Sequence, residues 1–139
     1  MKFNTKTRYG VRTVLEIALH NSTEGVYQKD IAKNQVISVR YLDQIIAALK
    51  TAGLITTVRG KKSGYVLTRK PEEISLLDIH KAFEHDINIV DCLAVNKECE
   101  KELTCASKIY WDELNDIIKN YLKNKTIADL VAKHYELNP

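Results

Sequence analysis

Ser38-Val39-Arg40-Tyr41-Leu42-Asp43-Gln44-Ile45-Ile46-Ala47-Ala48-Leu49, followed by Lys50-Thr51-Ala52-Gly53, is the stretch that decides the fold. Leu42, Ile45, Ile46 and Leu49 recur at helical spacing and make one apolar face. Ser38 suits the N-cap, because its hydroxyl can accept from a free amide of the first turn. Gly53 marks the expected stop near Ala52. The opposite side, near the N-terminus, offers Ser38, Arg40, Tyr41, Asp43 and Gln44. A helix buried on one face and polar at the start of the other matches what the major groove admits.

The flanking sequence completes a pattern. Thr5 to about Asn21 places Val11, Val14, Leu15, Ala18 and Leu19 at helical spacing. Asn21-Ser22-Thr23-Glu24-Gly25 reads as a loop. A short helix over Gln28 to Asn34 buries Ile31 and Ala32, and Gln35-Val36-Ile37 is a tight connection. Downstream, Leu54 to Arg59 and Tyr65 to Thr68 are rich in β-branched and aromatic residues, and Gly60-Lys61-Lys62-Ser63-Gly64 turns between them. Helix, short helix, turn, helix, hairpin is the order of a winged helix-turn-helix. The expected fold is mainly α with a small β-hairpin wing, followed by further helices.

The charge supports a polyanion partner. The net +3 hides 13 Lys and Arg against 4 Asp and Glu in residues 1–70, and 8 against 14 in residues 71–139. Lys and Arg near phosphates release counterions, so the front half suits double-stranded DNA. Arg40 can donate twice to guanine and Gln44 can pair with adenine. The hydroxyls of Ser38 and Tyr41 can reach phosphates or bases. Asp43 can accept from cytosine or act by repulsion. In the wing, Arg59, Lys61 and Lys62 supply cations, and Gly60 lets the backbone come close to the duplex. The division expected is 1–70 for DNA binding and 71–139 for the remainder. No apolar run reaches the length of a membrane span, and no signal-peptide core follows the polar, basic start, so a cytoplasmic protein is expected.

The rear half reads as helical. Ser75-Leu76-Leu77-Asp78 resembles a capping box for a helix through about Phe83. A helix over Ala106 to Asn124 carries Tyr110, Leu114, Ile117, Ile118 and Tyr121 as an apolar stripe. Thr126-Ile127-Ala128-Asp129 opens a last helix through His134. The irregular stretch Asp86 to Leu103 holds Cys92 and Cys99, with Cys105 just beyond, and these are the chain's three cysteines. An odd number in a reducing compartment speaks against a disulfide scaffold. Three chemistries stay open: an iron–sulfur cluster, direct thiol redox sensing, and structural zinc. A fourth donor could come from Glu98, Glu100, Glu102 or His85, from solvent or from a small thiol. Lys97, Lys101 and Lys108 would favour a thiolate. No poised base or nucleophile turn accompanies a cysteine, so an enzyme is not expected. His20, His80 and His134 read as structural.

Ser38-Val39-Arg40-Tyr41-Leu42-Asp43-Gln44, Gly53-Leu54, Val58-Arg59-Gly60 and Gly64-Tyr65 together resemble the Rrf-two family of bacterial winged-helix transcriptional regulators (IscR- and NsrR-like). Thr5-Lys6-Thr7-Arg8-Tyr9 and Ile127-Ala128-Asp129-Leu130 fit as well. The resemblance implies a homodimer held by the long C-terminal helix and reading a palindromic operator. It implies Cys92, Cys99 and Cys105 as ligands of a 2Fe-2S or 4Fe-4S cluster, with the type unresolved. It also exposes departures. Lys108 stands where IscR-like members place a completing His, and it cannot ligate while protonated. Arg8 and Arg12 occupy the region where other members have an acidic ligand from the partner's first helix. A regulator controlled by a metabolite or partner protein, with no cluster, is the remaining expectation.

Overall fold

The computed structural model describes residues 2–20, 22–58, 64–94 and 98–139. Among these are six α-helices and one two-stranded antiparallel hairpin. The helices are α1 (Thr5–Leu19), α2 (Gln28–Gln35), α3 (Val39–Thr51), α4 (Leu76–Phe83), α5 (Lys108–Asn124) and α6 (Ile127–Leu137). The strands β1 (Ile55–Thr57) and β2 (Tyr65–Leu67) follow α3, paired Ile55 to Leu67 and Thr57 to Tyr65. They are shorter than the β-rich runs suggested. Helix α5 starts at Lys108, two residues later than expected, and α6 continues to Leu137, past His134.

The caps explain why the helices begin where they do. Ser38 Oγ accepts from the Tyr41 amide at 3.1 Å. Ser75 with Asp78 and Thr126 with Asp129 form reciprocal capping boxes. Asn4 caps α1 by accepting from the Thr7 amide at 2.7 Å. Gly53 ends α3 in a left-handed conformation, φ 76°.

One core serves the whole chain. Val14 and Ile17 of α1, Ile31 of α2, and Leu42, Ile45 and Leu49 of α3 pack with Ile74, Ile79 and Ile127 from the rear half. Helix α1 touches α2, α3 and β2 as well as α4 and α6. The chain stitches the start of α6 to the segment that leads into α4. The Leu76 amide donates to Lys125 O and the Ile127 amide to Ile74 O, each at 2.9 Å.

The base of the wing is fixed by two glycines. A Cβ on Gly25 would lie 2.7 Å from the Gly64 carbonyl carbon, and one on Gly64 would lie 2.6 Å from that of Gly25. With neither Cβ present, Val26 and Tyr65 exchange backbone hydrogen bonds of 2.9 and 2.8 Å. The hairpin is thereby joined to the loop that leads into α2.

The connection between α2 and α3 turns on Val36, with φ 54° and ψ 53°. A β-branched residue in this left-handed region costs about 1–2 kcal/mol. Val36 is 83% exposed, so its side chain recovers little of that by burial. Val36→Gly is expected to raise stability by about 1 kcal/mol, glycine's greater unfolded-state entropy offsetting part of the gain. Urea unfolding of the two proteins checks this; a lower midpoint for the variant contradicts it.

Candidate nucleic-acid interface and cysteine segment

The candidate reading surface lies on the first turns of α3. Arg40, Asp43 and Gln44 are exposed, while Leu42, Ile45, Ile46 and Leu49 are buried beneath them. Ser38 is exposed, and its hydroxyl is engaged in the cap. Tyr41 is half-buried and packs edge-on against Tyr9 of α1, ring centroids 5.6 Å apart. Its ring therefore helps seat α3, which leaves the phenol end for any outside contact. Arg59, Gly60, Lys61 and Lys62 lie outside the described residues.

Gln28, Glu16 and Arg12 hold this surface in place, in roles that sequence reasoning did not assign them. Gln28 Nε2 donates to Asp43 Oδ1 at 2.5 Å and to Val39 O at 3.2 Å. Asp43 thus has one oxygen occupied from α2, which limits its freedom to reach a base. Glu16, only 3% exposed, accepts from Asn34 Nδ2 and Gln35 Nε2, each at 2.7 Å. His20 Nε2 lies 2.9 Å from the same carboxylate. Arg12 stacks over the Tyr9 ring and donates to the side chain and the carbonyl oxygen of Gln35. The hydrogen bonds from Gln28, Glu16 and Arg12 to other elements span 11 to 23 residues, beyond any local sequence signal.

The cysteines occupy the segment between α4 and α5. Cys92 is half-buried in a 3-10 turn, Asp91–Leu93, Cys99 is exposed, and Cys105 is half-buried; all three are free thiols. Cys105 Sγ is 3.2 Å from Ser107 Oγ. Hydrogen bonds from the Ser107 hydroxyl, then from the Ser107 and Lys108 amides, hold the Cys105 thiol below the ordinary range, with a smaller push from Lys101. Lys108 donates to Glu102 Oε1 at 3.0 Å, and that bond raises its pKa further. Lys108 is therefore a committed cation, and Glu102 is already engaged.

Among the described residues, no group of three or more His, Cys, Asp or Glu is assembled to hold a metal ion. The donor chemistry nevertheless fits a cluster, with three thiols in one segment and one of them biased toward thiolate. His20 and His80 are drawn into contacts with Glu16 and Phe3, respectively, and His134 stacks against Tyr135.

Asn115 fastens the start of this segment to α5. Buried on the inner side of the helix, it donates to Ile87 O at 2.8 Å and accepts from the Ile89 amide at 2.9 Å. Nearby, Lys119 donates to Asp86 Oδ2 at 3.0 Å. The outer face of α5 is apolar and uncovered: Ile109, Tyr110, Leu114, Ile117 and Tyr121 are all exposed.

A capped helix with a polar leading face, a short helix behind it and a hairpin at its end define a winged helix-turn-helix protein. A family model described as Rrf2, an iron-dependent transcriptional regulator, matches residues 3–133. The chain belongs to the Rrf2 family of DNA-binding transcriptional regulators, which are not enzymes. It is 39% identical to the protein rrf2 of Nitratidesulfovibrio vulgaris over 94% of this chain and 87% of that one. The solved structure of T. potens IscR superposes with a TM-score of 0.79 at 32% identity, covering 100% of this chain and 92% of that one. CymR, the global cysteine regulator of B. subtilis, superposes with a TM-score of 0.77 at 30% identity, covering 96% and 98%. No helix among the described residues is long and apolar enough to cross a membrane.

The Asp86–Lys119 pair carries a pH signature. The Lys119 hydrogen bond leads the effects that hold the Asp86 carboxyl below its ordinary value. Its contribution to stability is therefore present above the unfolded-state pKa and lost as pH falls through the lower folded-state value. Lys119→Met is expected to be less stable than the parent at neutral pH, with the gap closing on acidification. Urea unfolding across that range measures it, and a gap independent of pH contradicts the assignment.

Proposed function

We propose that this regulator reads a palindromic operator as a homodimer and changes its DNA binding with the state of Cys92, Cys99 and Cys105. The observation that carries the reading is placement. The three thiols lie between the reading unit and α5, and the segment's start is fastened to α5 by Asn115. In this reading residues 1–70 bind DNA, while 71–139 carry the cysteine segment and the dimer contact. Arg40 and Gln44 read base edges, and Ser38 and Tyr41 contact the backbone or bases. Arg59, Gly60, Lys61 and Lys62 contribute on their sequence chemistry as the wing. The exposed stripe of α5 supplies the dimer surface, since a continuous apolar strip of this kind marks an interaction site.

Cys92, Cys99 and Cys105 would hold an iron–sulfur cluster, which supplies a redox- and ligand-sensitive centre when bound. Support comes from the thiol set and from similarity to T. potens IscR. The chain's own part is to present thiolates, with Ser107 favouring that state at Cys105. Lys108 stays paired to Glu102, so the fourth donor must come from elsewhere. A second reading, direct thiol chemistry at Cys105, is favoured by the Ser107 contact and by the similarity to CymR. The two readings part at the metal. Protein purified without oxygen should be brown and contain iron and sulfide if the cluster reading holds, and colourless with reactive thiols if the second does.

Operator DNA selected by the protein from a random pool gives the functional test. Anaerobic protein as isolated, apo protein and Cys92→Ala are expected to differ in affinity. Equal affinity in all three would overturn control by the cysteines. Arg40→Ala is expected to weaken operator binding by about 1–3 kcal/mol and to relax preference at one base position. Unchanged preference in a repeated selection would remove Arg40 from base reading.

A further inference from the structure

Asp43 is the only acidic residue of α3, and it stands exposed on the leading turns beside Arg40 and Gln44. The front half of the chain carries 13 Lys and Arg against 4 Asp and Glu. A carboxylate on the face turned toward DNA is repelled by phosphates, so it weakens binding unless it gains a contact there.

Gln28, the first residue of α2, fixes how that carboxylate stands. Its amide nitrogen donates to Asp43 Oδ1 at 2.5 Å and to Val39 O at 3.2 Å. Both partners are acceptors, so only the nitrogen end of the amide can face them. Asp43 Oδ2 makes no hydrogen bond among the described residues. Arg40 and Asp43 are three residues apart on one helix, a spacing at which opposite charges pair. Among the described residues they do not pair, and Arg40 makes no ion pair at all. A neutral amide holds Asp43 without cancelling its charge, which a Lys in the same place would do.

We propose that Gln28 is a positioning residue for base reading. It holds Asp43 away from Arg40 and leaves one carboxylate oxygen free to accept from the exocyclic amino group of a cytosine or an adenine. This role rests on α3 as the reading helix, the reading proposed above. In the major groove only those two amino groups donate, while guanine and thymine present acceptors that a carboxylate repels. The repulsion that Asp43 brings thereby becomes discrimination between bases. Arg40, left unpaired, keeps both of its donors for guanine. Without the Gln28 amide, Asp43 and Arg40 would turn to each other, and both would be lost to the bases.

The experiment uses the full chain and operator DNA selected by it from a random pool. Gln28→Met keeps the length of the side chain and removes the donor. It is expected to weaken operator binding by about tenfold. A repeated selection should show the preference for cytosine or adenine relaxed at one position in each half-site, the same position that Asp43→Ala relaxes. In an Asp43→Ala background, Gln28→Met should change affinity by less than about twofold. A residue that only packed α2 on α3 would cost the same in both backgrounds, and that result overturns the proposal. The salt dependence of binding should not change; a flatter dependence would make Gln28 itself a phosphate contact and overturn it as well. Guanine or thymine preferred at the Asp43 position also overturns it. Gln28→Ala stands in if Gln28→Met does not fold. Arg40→Ala separates the two levels of failure. If it relaxes one position while Gln28→Met relaxes none, only the role of Gln28 falls. If no α3 variant alters base preference, the reading helix falls and the role of Gln28 with it.

Discussion

The carboxylate of Glu16 is the constraint on which the reading unit depends. It sits inside α1, nearly sealed from water, where an unpaired carboxylate would cost several kcal/mol. Its partners are Asn34 and Gln35, in the last turn of α2, together with His20. The charge is satisfied only when that turn is in place. Arg12 closes the same corner by binding the side chain and backbone of Gln35. The next residue is Val36, in its left-handed conformation, and α3 starts three residues further on. A buried polar knot thus sets the angle at which α3 leaves α2. It also accounts for a valine held where its backbone is unfavourable: the strain of about 1–2 kcal/mol is outweighed by the hydrogen bonds around it.

Helix α1 extends that constraint across the molecule. One side carries Glu16 and the contacts to α2 and α3, while other positions meet α4 and α6. Gly10 shows how close the α4 crossing is: a Cβ there would come within 2.3 Å of the Phe83 ring. The wing is tied into the same body by the Gly25–Gly64 approach. The segment after it is tied to the start of α6 by the Ser75–Thr126 bridge. Residues on either side of position 70 therefore share a core, although their charge balance differs sharply.

The parts legible in the sequence were those with local causes. Ser38, Ser75 and Thr126 announce their helices because a cap and its amide lie three residues apart. The buried face of α3 follows from its period. Glu16, Gln28 and Asn115 were not legible, since each hydrogen-bonds to other elements 11 to 28 residues away and nothing beside them in the chain marks the meeting. The hairpin strands came out short because β-branched composition reports propensity, while pairing sets the ends. Tyr41 illustrates a mixed case. Its place on the leading turn suggested a purely external role, but its ring packs on Tyr9 and belongs partly to the interior. His80 read as a structural histidine and is indeed buried, yet among the described residues its ring nitrogens make no hydrogen bond, Glu84 Oε2 standing 3.5 Å from Nε2.

For an event in residues 85–107 to change DNA binding, it must favour one arrangement of packed elements over another. The contacts available are particular. Asn115 and Lys119 fasten Asp86, Ile87 and Ile89 to α5, α5 packs on α4, and α4 packs on both α1 and α3. Helix α3 therefore touches an element that is one contact removed from the cysteine segment. Within a chain this compact, the reading helix cannot tilt far without breaking the Glu16 knot. In the dimer proposed above, the freer coordinate is the relation between the two copies across the exposed face of α5. A dimer reading two half-sites responds strongly to that relation, because the spacing between its recognition helices must match the turn of the DNA.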